Sequence, residues 1–146
     1  MTTTADRQDE IIKEFSMLDG NLELTLQYLM ELGQQLPAFP EGERTEENIV
    51  KGCQSKVWLV ANRDDGKIYF QADSNTAITK GLVGLLLRVC QGLTPEEILN
   101  TEFFFPSKIG MDRFIGTQRS NGFASMIQQI RRYALAYSLI KEGNGK

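Results

Sequence analysis

The chain has 146 residues, 41% of them hydrophobic and 24% charged, and its formal net charge is −3. At about 150 residues per domain, this length predicts a single domain over residues 1–146, with an ordered core over about 7–142. A mildly acidic chain with no basic run argues against nucleic acid as the main partner. Its apolar stretches fall short of the ~18 residues that a membrane helix needs, so we expect no membrane partner.

The chain contains no histidine and only two cysteines, Cys53 and Cys90. The absence of histidine excludes Ser-His-Asp and Cys-His hydrolases, histidine-based acid–base catalysis and most catalytic zinc sites. Two cysteines alone cannot supply the ligands of a zinc site or an iron–sulfur cluster within one chain. They form no disulfide framework, and the polar N-terminus resembles no signal peptide, so we expect a cytoplasmic protein without a bound metal.

Apolar residues at helical spacing predict two helices in the N-terminal part of the chain. The first ends near Leu18 and the second covers about 22–36, whereas residues 1–6 are polar and are expected to fray. The connection that follows, 37–55, is long for a compact domain. Connections of this length are often functional.

Alternating apolar residues predict a strand over 56–62, and a turn at 64–66 leads to a return strand over 68–72. The aromatic run at 103–105 predicts a third short strand. Together with the helices, these segments predict an α+β fold in which a small three-stranded antiparallel sheet packs with helices at both chain ends.

Three further helices are predicted in the C-terminal half. The first covers about 76–91, and the second is a short helix opened by Thr94 as its cap. The third begins at Ser120 or Asn121 and is followed by a loose tail at 143–146. These helices would cover the predicted sheet.

Cys53 lies at the junction of the long connection and the first strand. Gly52 allows a sharp backbone turn beside it, and Lys51 and Lys56 would favour its thiolate over its thiol. These neighbours indicate a reactive cysteine. Cys90, late on an apolar helix, is interpreted as a packing residue.

Two charged segments allow a functional and an ordinary interpretation. Arg119-Ser120-Asn121-Gly122 could hold an anion or a partner's carboxylate, or could be an ordinary helix cap with a surface arginine. The acidic residues between 41 and 47 are interpreted as a solvated loop, because they lack the spacing of a calcium site.

Five segments in the same order resemble the SufE family, also called the Fe–S metabolism-associated domain. The most specific is the cysteine loop at 48–59, and the resemblance extends from about Ile11 to Ile140. The supporting segments are 28–37, 72–82, 93–98 and 119–126. The resemblance implies a SufE/IscU-like fold, similar to that of the U-type cluster scaffolds.

The resemblance also implies a function in sulfur transfer. Such proteins take a persulfide sulfur from a PLP-dependent cysteine desulfurase of the SufS type and stimulate it. They hold the sulfur on the loop cysteine, here Cys53, and pass it to an Fe–S scaffold such as a SufB-type complex. The implied protein is a transpersulfidation partner rather than a stand-alone enzyme. It binds no permanent cofactor, because the PLP belongs to the desulfurase.

Residues around Cys53 are expected to support the transfer or the docking of the partner. They are Lys51, Gly52, Gln54, Ser55, Asp73 and Arg119. We expect Cys53 to be largely buried in the free protein, on a loop that moves when the partner docks. The chain departs from the family at Phe114 and Thr117, where relatives often have histidine and proline.

Two other functions remain open from the sequence. Cys53 could serve a stand-alone thiol redox protein, such as a peroxidase or a sensor, although no resolving thiol is evident. Alternatively, the protein could be an interaction module in which the cysteine is incidental.

Overall fold

Six helices and a two-stranded antiparallel sheet build residues 3–140, the part of the chain that the computed structural model describes. The predicted tail at 143–146 lies outside these residues. The α+β class predicted from the sequence is confirmed. The elements are α1 (Thr4–Ser16), α2 (Leu22–Gln34), β1 (Val57–Asp64), β2 (Lys67–Ser74), α3 (Ala77–Cys90), α4 (Pro95–Leu99), α5 (Phe105–Lys108) and α6 (Met111–Leu139), with 3₁₀ turns at Glu41–Glu43 and Glu46–Asn48.

Helix α1 begins at Thr4 because the residue before it is a complete N-cap. The Thr3 hydroxyl accepts a hydrogen bond from the Asp6 amide at 3.0 Å, and the Asp6 carboxylate accepts one from the Thr3 amide at 3.2 Å. The prediction that residues 1–6 fray is therefore wrong for residues 3–6. A polar composition suggested fraying, but the same polar side chains satisfy the free amides of the helix end.

The two strands form a hairpin whose register runs from Val57 opposite Ser74 to Asp64 opposite Lys67. Asp65 and Gly66 close it with φ values of 54° and 77°, as in the two-residue turns that match the twist of a hairpin. Isolated bridges extend the pairing on both sides, and they join Ile49 to Trp58 and Ile68 to Leu93.

The third strand predicted at 103–105 is absent from the described residues, which contain two strands only. The buried side chain of Gln8 replaces the strand pairing. Its oxygen accepts hydrogen bonds from the Phe104 and Phe105 amides at 2.8 and 3.1 Å, and its amide group donates to the Glu102 carbonyl at 2.9 Å. Because Gln8 satisfies this backbone, the segment ends in helix α5 rather than joining the sheet.

Helix α3 lies at the centre of the fold, and most of its residues are buried. It packs on β2, and α2 crosses it closely where Gly33 meets Gly81. A Cβ at position 81 would lie 2.0 Å from the Leu29 carbonyl oxygen, so only glycine allows this approach. Helices α1, α4, α5 and α6 complete the core around this pair.

Helix α6 is interrupted at Gly116, which has φ 85° and ψ 168°. The long segment that follows therefore begins at Thr117, before the start predicted at Ser120 or Asn121. This shift places Arg119 in the first turn of the long segment rather than in a loop before it. A glycine with this positive φ ends one helix and lets the next begin in a new direction.

Candidate functional site

Cys53 lies near the tip of a short loop between two hydrogen-bonded ends. The Val50 amide donates to the Val57 carbonyl at 2.8 Å, and Ile49 forms a bridge with Trp58. Gly52 turns the chain with φ 94°, and a Cβ there would lie 2.4 Å from Ser125 Oγ. The loop that presents the cysteine thus lies directly against helix α6.

The second half of this loop is anchored to the start of α3. Ser74 Oγ donates to the Lys56 carbonyl at 2.8 Å, and the Lys56 amide donates to Asn75 Oδ1 at 3.0 Å. Ser55 Oγ lies 3.0 Å from Thr76 Oγ1 and accepts from Thr79 Oγ1 at 3.3 Å. These bonds fix the chain directly after the cysteine.

The thiol of Cys53 is partly buried, somewhat less than the sequence led us to expect. Its Sγ donates a hydrogen bond to the Gly122 carbonyl oxygen on α6 at 3.4 Å. It borders a cavity of about 100 Å³ that is partly open to solvent. The cavity is lined by Cys53, Gln54, Ser55, Thr79, Leu82, Gln118, Arg119, Gly122 and Met126.

Burial raises the pKa of the Cys53 thiol above its ordinary value. The prediction that Lys51 and Lys56 favour the thiolate is therefore wrong in direction, because both lysines are exposed and surrounded by solvent. The thiol of the free protein is protonated at neutral pH. A change in the surroundings of Cys53 that lowered this pKa would increase the thiolate fraction.

Cys90 is a core residue, as the sequence predicts. It is 1% exposed, and burial raises its pKa to about 12. A thiol that is neither accessible nor ionised cannot act as a nucleophile. Cys53, by contrast, borders a cavity that is partly open to solvent.

The structure brings together four of the seven residues singled out from the sequence. Cys53, Gln54, Ser55 and Arg119 line the same cavity, although Arg119 is far from the other three in the sequence. Gly52 lies beside this group against Ser125, and the exposed Lys51 precedes it on the loop. The guanidinium of Arg119 is exposed, so it can meet a negatively charged partner at the mouth of the cavity.

Asp73, the remaining residue, lies outside the cavity lining and forms an ion-pair cluster. Its carboxylate contacts Arg44 Nη2 at 2.6 Å and Lys80 Nζ at 3.3 Å. Burial alone would raise the pKa of Asp73, but hydrogen bonds from the Ser74 amide, Arg44 and Lys80 hold it below its ordinary value. Asp73 thus fixes the long connection to the hairpin rather than facing the thiol.

Arg44 holds the long connection in place, although the sequence did not single it out. Its guanidinium lies over two aromatic rings, 5.4 Å from the centroid of Phe39 and 5.2 Å from that of Trp58. It therefore joins the connection at 37–48 to the outer side of β1. An arginine within an acidic segment is only a weak indication of a structural role, because the sequence does not show which ring or carboxylate it contacts.

Four more cavity residues were also missed as site residues. Leu82 and Met126 were assigned only to helix stripes and family segments, and Thr79 and Gln118 were not mentioned. The helical spacing of Leu82 and Met126 correctly indicated burial. It could not indicate that the buried faces of α3 and α6 meet beside a cysteine from a distant loop.

Phe114 and Thr117, where the chain departs from the family, do not line the cavity. The Phe114 ring stacks on Phe15 with centroids 6.1 Å apart, and Thr117 is exposed directly after Gly116. The departures therefore alter the segment leading to Arg119 and leave the walls around Cys53 unchanged.

Within residues 3–140, no group of three or more histidine, cysteine, aspartate or glutamate side chains could hold a metal ion. The acidic residues at Glu41, Glu43, Glu46 and Glu47 are exposed. None of the helices described is both long and apolar enough to cross a membrane.

Comparisons with known proteins agree with this architecture. The SufE family profile, described as "Fe-S metabolism associated domain", matches residues 9–134. An uncharacterized SufE-like protein of Rhizobium meliloti (strain 1021) is 38% identical over 131 residues, covering 86% of this chain and 93% of the relative. One of Rhizobium etli is 40% identical over 131 residues, covering 86% of this chain and 88% of the relative.

A solved structure shares the fold. The solution structure of a hypothetical protein from Thermus thermophilus has a TM-score of 0.74 at 21% identity, covering 91% of this chain and 96% of its own. The profile match spans most of the chain, and it includes the cysteine loop and the part of α6 that lies against it. The chain therefore belongs to the SufE family, the Fe–S metabolism associated domain.

Proposed function

We propose that this protein accepts persulfide sulfur on Cys53 from a PLP-dependent cysteine desulfurase of the SufS type. It stimulates the desulfurase and passes the sulfur to an Fe–S scaffold such as a SufB-type complex. The observation that carries the proposal is the position of Cys53. The thiol lies on a loop anchored at both ends, beside a small cavity that reaches the surface at Arg119.

The transfer is a thiol–persulfide exchange. The Cys53 thiolate attacks the outer sulfur of the partner's persulfide, and a new S–S bond forms at Cys53. The partner's S–S bond breaks, and its cysteine leaves as a thiolate that takes up the proton lost by Cys53. Atoms and electrons balance without an oxidant, a metal or a histidine.

The raised pKa of Cys53 favours a step that is switched on by docking. In the free protein the partly buried thiol keeps its proton and donates a hydrogen bond to the Gly122 carbonyl. Movement about Gly52 would break this bond and bring the thiol into the partner's site, where positive charges could favour the thiolate. Lys51, Gln54 and Arg119 are exposed around the loop and offer polar contacts to that partner.

Desulfurase assays with two cysteine variants test the proposal. We expect the wild-type protein and Cys90→Ala to raise the rate of a matched SufS-type desulfurase, and Cys53→Ser to fold normally without raising it. Full stimulation by Cys53→Ser would contradict the mechanism. Loss of stimulation in a well-folded Cys90→Ala protein would show that the wrong cysteine is assigned.

A further inference from the structure

The edge of β2 that faces away from β1 carries no third strand in the described residues, yet most of it is paired. At Ile68 the chain itself supplies the partner, because the Ile68 amide donates to the Leu93 carbonyl at 2.8 Å. At Phe70 a side chain supplies it. The Gln91 carboxamide accepts from the Phe70 amide at 2.6 Å and donates to the Phe70 carbonyl at 2.8 Å. Gln91 thus takes the place of a paired residue.

Ala72, the next position on this edge, is open. The register places it opposite Leu59, in a pair that exchanges no hydrogen bonds, so its amide and carbonyl point to the same edge as those of Phe70. Within residues 3–140, neither group has a hydrogen-bond partner. Ala72 is only 4% exposed, and an unpaired backbone group that is buried costs free energy. The position therefore favours an occupant that supplies one donor and one acceptor.

A cavity of about 190 Å³ lies at this open position. Phe70 and Gln71 both line it, although successive side chains of a strand lie on opposite faces, so the cavity is at the edge of β2. Its other walls come from the end of α2 and from α3, with Leu36 and Leu87 among them. A cavity of about 150 Å³ can hold benzene, so this one has room for a leucine side chain. It shares no lining residue with the cavity beside Cys53.

The charges around the cavity favour a neutral, apolar occupant. Arg88 is the one charged residue in its lining, and both terminal nitrogens of the guanidinium donate to the Glu14 carboxylate at 2.8 Å. The positive charge is therefore already balanced. Residues 141–146 do not suit the cavity, because they contain no apolar side chain.

We propose that the open edge at Ala72 binds one residue of an extended segment of a partner protein, whose backbone pairs with Ala72 and whose apolar side chain enters the cavity. In an antiparallel hydrogen-bonded pair, two residues exchange both bonds and their side chains share a face. Ala72 belongs to the buried face of β2, which packs on α3, so the partner's side chain points towards α3 and into the cavity.

The site accepts a single residue of that segment. Gln91 closes the edge on one side, and on the other side the Ser74 amide donates to the Asp73 carboxylate at 2.8 Å. The inference is independent of the proposed sulfur transfer, because it involves neither Cys53 nor the residues around it.

Three blocked amino acids test the proposal by NMR titration of the full-length protein. N-Acetyl-leucine-N′-methylamide offers one donor, one acceptor and an apolar side chain, and we expect saturable shifts of the Ala72 and Leu87 amides. The glycine analogue lacks the side chain, and the analogue methylated on the leucine nitrogen lacks the donor for the Ala72 carbonyl. Each should bind at least about tenfold more weakly, the factor that corresponds to about 1.4 kcal/mol.

A pair of variants locates the binding site. Leu36→Asp places a charge in the apolar wall and should weaken binding of the leucine compound at least about tenfold. Gln35→Asp adds the same charge one residue earlier, at an exposed position outside the lining, and should stay within about twofold of wild type. If Leu36→Asp fails to fold, the comparison of the three compounds on wild type still decides.

Failure of the leucine compound to give saturable shifts at Ala72, up to its limit of solubility, would overturn the proposal. Equal binding of the three compounds would also overturn it, because neither the side chain nor the backbone donor would then matter. Shifts at Ala72 that depend on protein concentration without any compound would make a second copy of this chain the occupant, which contradicts the proposal as well.

Discussion

At the scale of single residues, the surroundings of Cys53 suit storage better than attack. Two neighbouring lysines suggested that the thiolate of Cys53 would be favoured. The lysine side chains are exposed to solvent, however, and burial raises the pKa of the Cys53 thiol. Sequence neighbours of a cysteine reveal its local charge but not its burial. The residues that bury the thiol, among them Leu82, Gly122 and Met126 in the cavity wall, are distant in the chain.

Gly52 is the residue whose substitution should most disturb the loop. Alanine at φ 94° is strained, at a cost of about 1–3 kcal/mol, and its Cβ would also lie 2.4 Å from Ser125 Oγ. We expect Gly52→Ala to lower the free energy of unfolding by at least that amount in urea denaturation, and to speed alkylation of Cys53. Gly42→Ala is the control, since a Cβ there meets no atom within 4 Å. Equal stability of the two variants would contradict this account.

At the scale of elements, local patterns predicted the hairpin and the positions of α2, α3 and α4 closely. The turn at Asp65–Gly66 and the Thr94 cap of α4 are local signals, and both are present. The predictions failed where a distant residue decides the structure. The aromatic run at 103–105 has strand propensity, but the side-chain oxygen of Gln8 from α1 accepts the hydrogen bonds of the Phe104 and Phe105 amides.

Gln8→Leu tests the part played by this buried amide. The substitution would leave the Phe104 and Phe105 amides and the Glu102 carbonyl without their partner, and each unsatisfied buried group costs about 1–3 kcal/mol. We expect the free energy of unfolding to fall by at least about 2 kcal/mol, with faster hydrogen exchange at 102–108.

The matched control is Gln34→Leu, which changes the same residue type on the exposed side of α2. It should leave both the unfolding free energy and the exchange at 102–108 close to wild type. If Gln8→Leu were as stable as this control, the hydrogen bonds of Gln8 would not be what holds the segment.

At the scale of the whole molecule, three distant parts of the chain converge on the site. The cysteine loop, the start of α3 and the long segment of α6 surround the cavity, and the connection at 37–48 is held over β1 by Arg44. Family segments in the right order predicted the overall class, and the proposed role of Cys53 rests on the same segments. The cavity itself could not be predicted, because it arises from the packing of helix faces that the sequence shows only as apolar stripes.

The ion-pair cluster of Asp73 should make this assembly sensitive to acid. Because the pKa of Asp73 is held below its ordinary value of 3.8, the folded state binds its proton less readily than the unfolded state. Its contribution to stability is therefore present above that value and is lost as the pH falls through the lower folded-state pKa.

We expect Asp73→Asn to reduce the free energy of unfolding at pH 7 and to speed hydrogen exchange at 39–50. The difference from wild type should shrink as the pH falls below the ordinary value of 3.8, where the carboxylate of the unfolded chain takes up its proton first, and vanish below the lower pKa of the folded state. Glu46→Gln, which removes one exposed carboxylate from the same connection, is the control. A stability difference between Asp73→Asn and wild type that stays constant from pH 7 to pH 2 would contradict the assignment.

If Cys53 receives sulfur from a desulfurase, the mass of the protein increases by one sulfur atom. The purified protein is incubated with a SufS-type desulfurase and free cysteine, and its mass is measured without reductant. We expect the gain of one sulfur atom, located on Cys53 after proteolysis, in wild type and in Cys90→Ala but not in Cys53→Ser. Wild-type protein without added sulfur, or with the sulfur on Cys90, would contradict it.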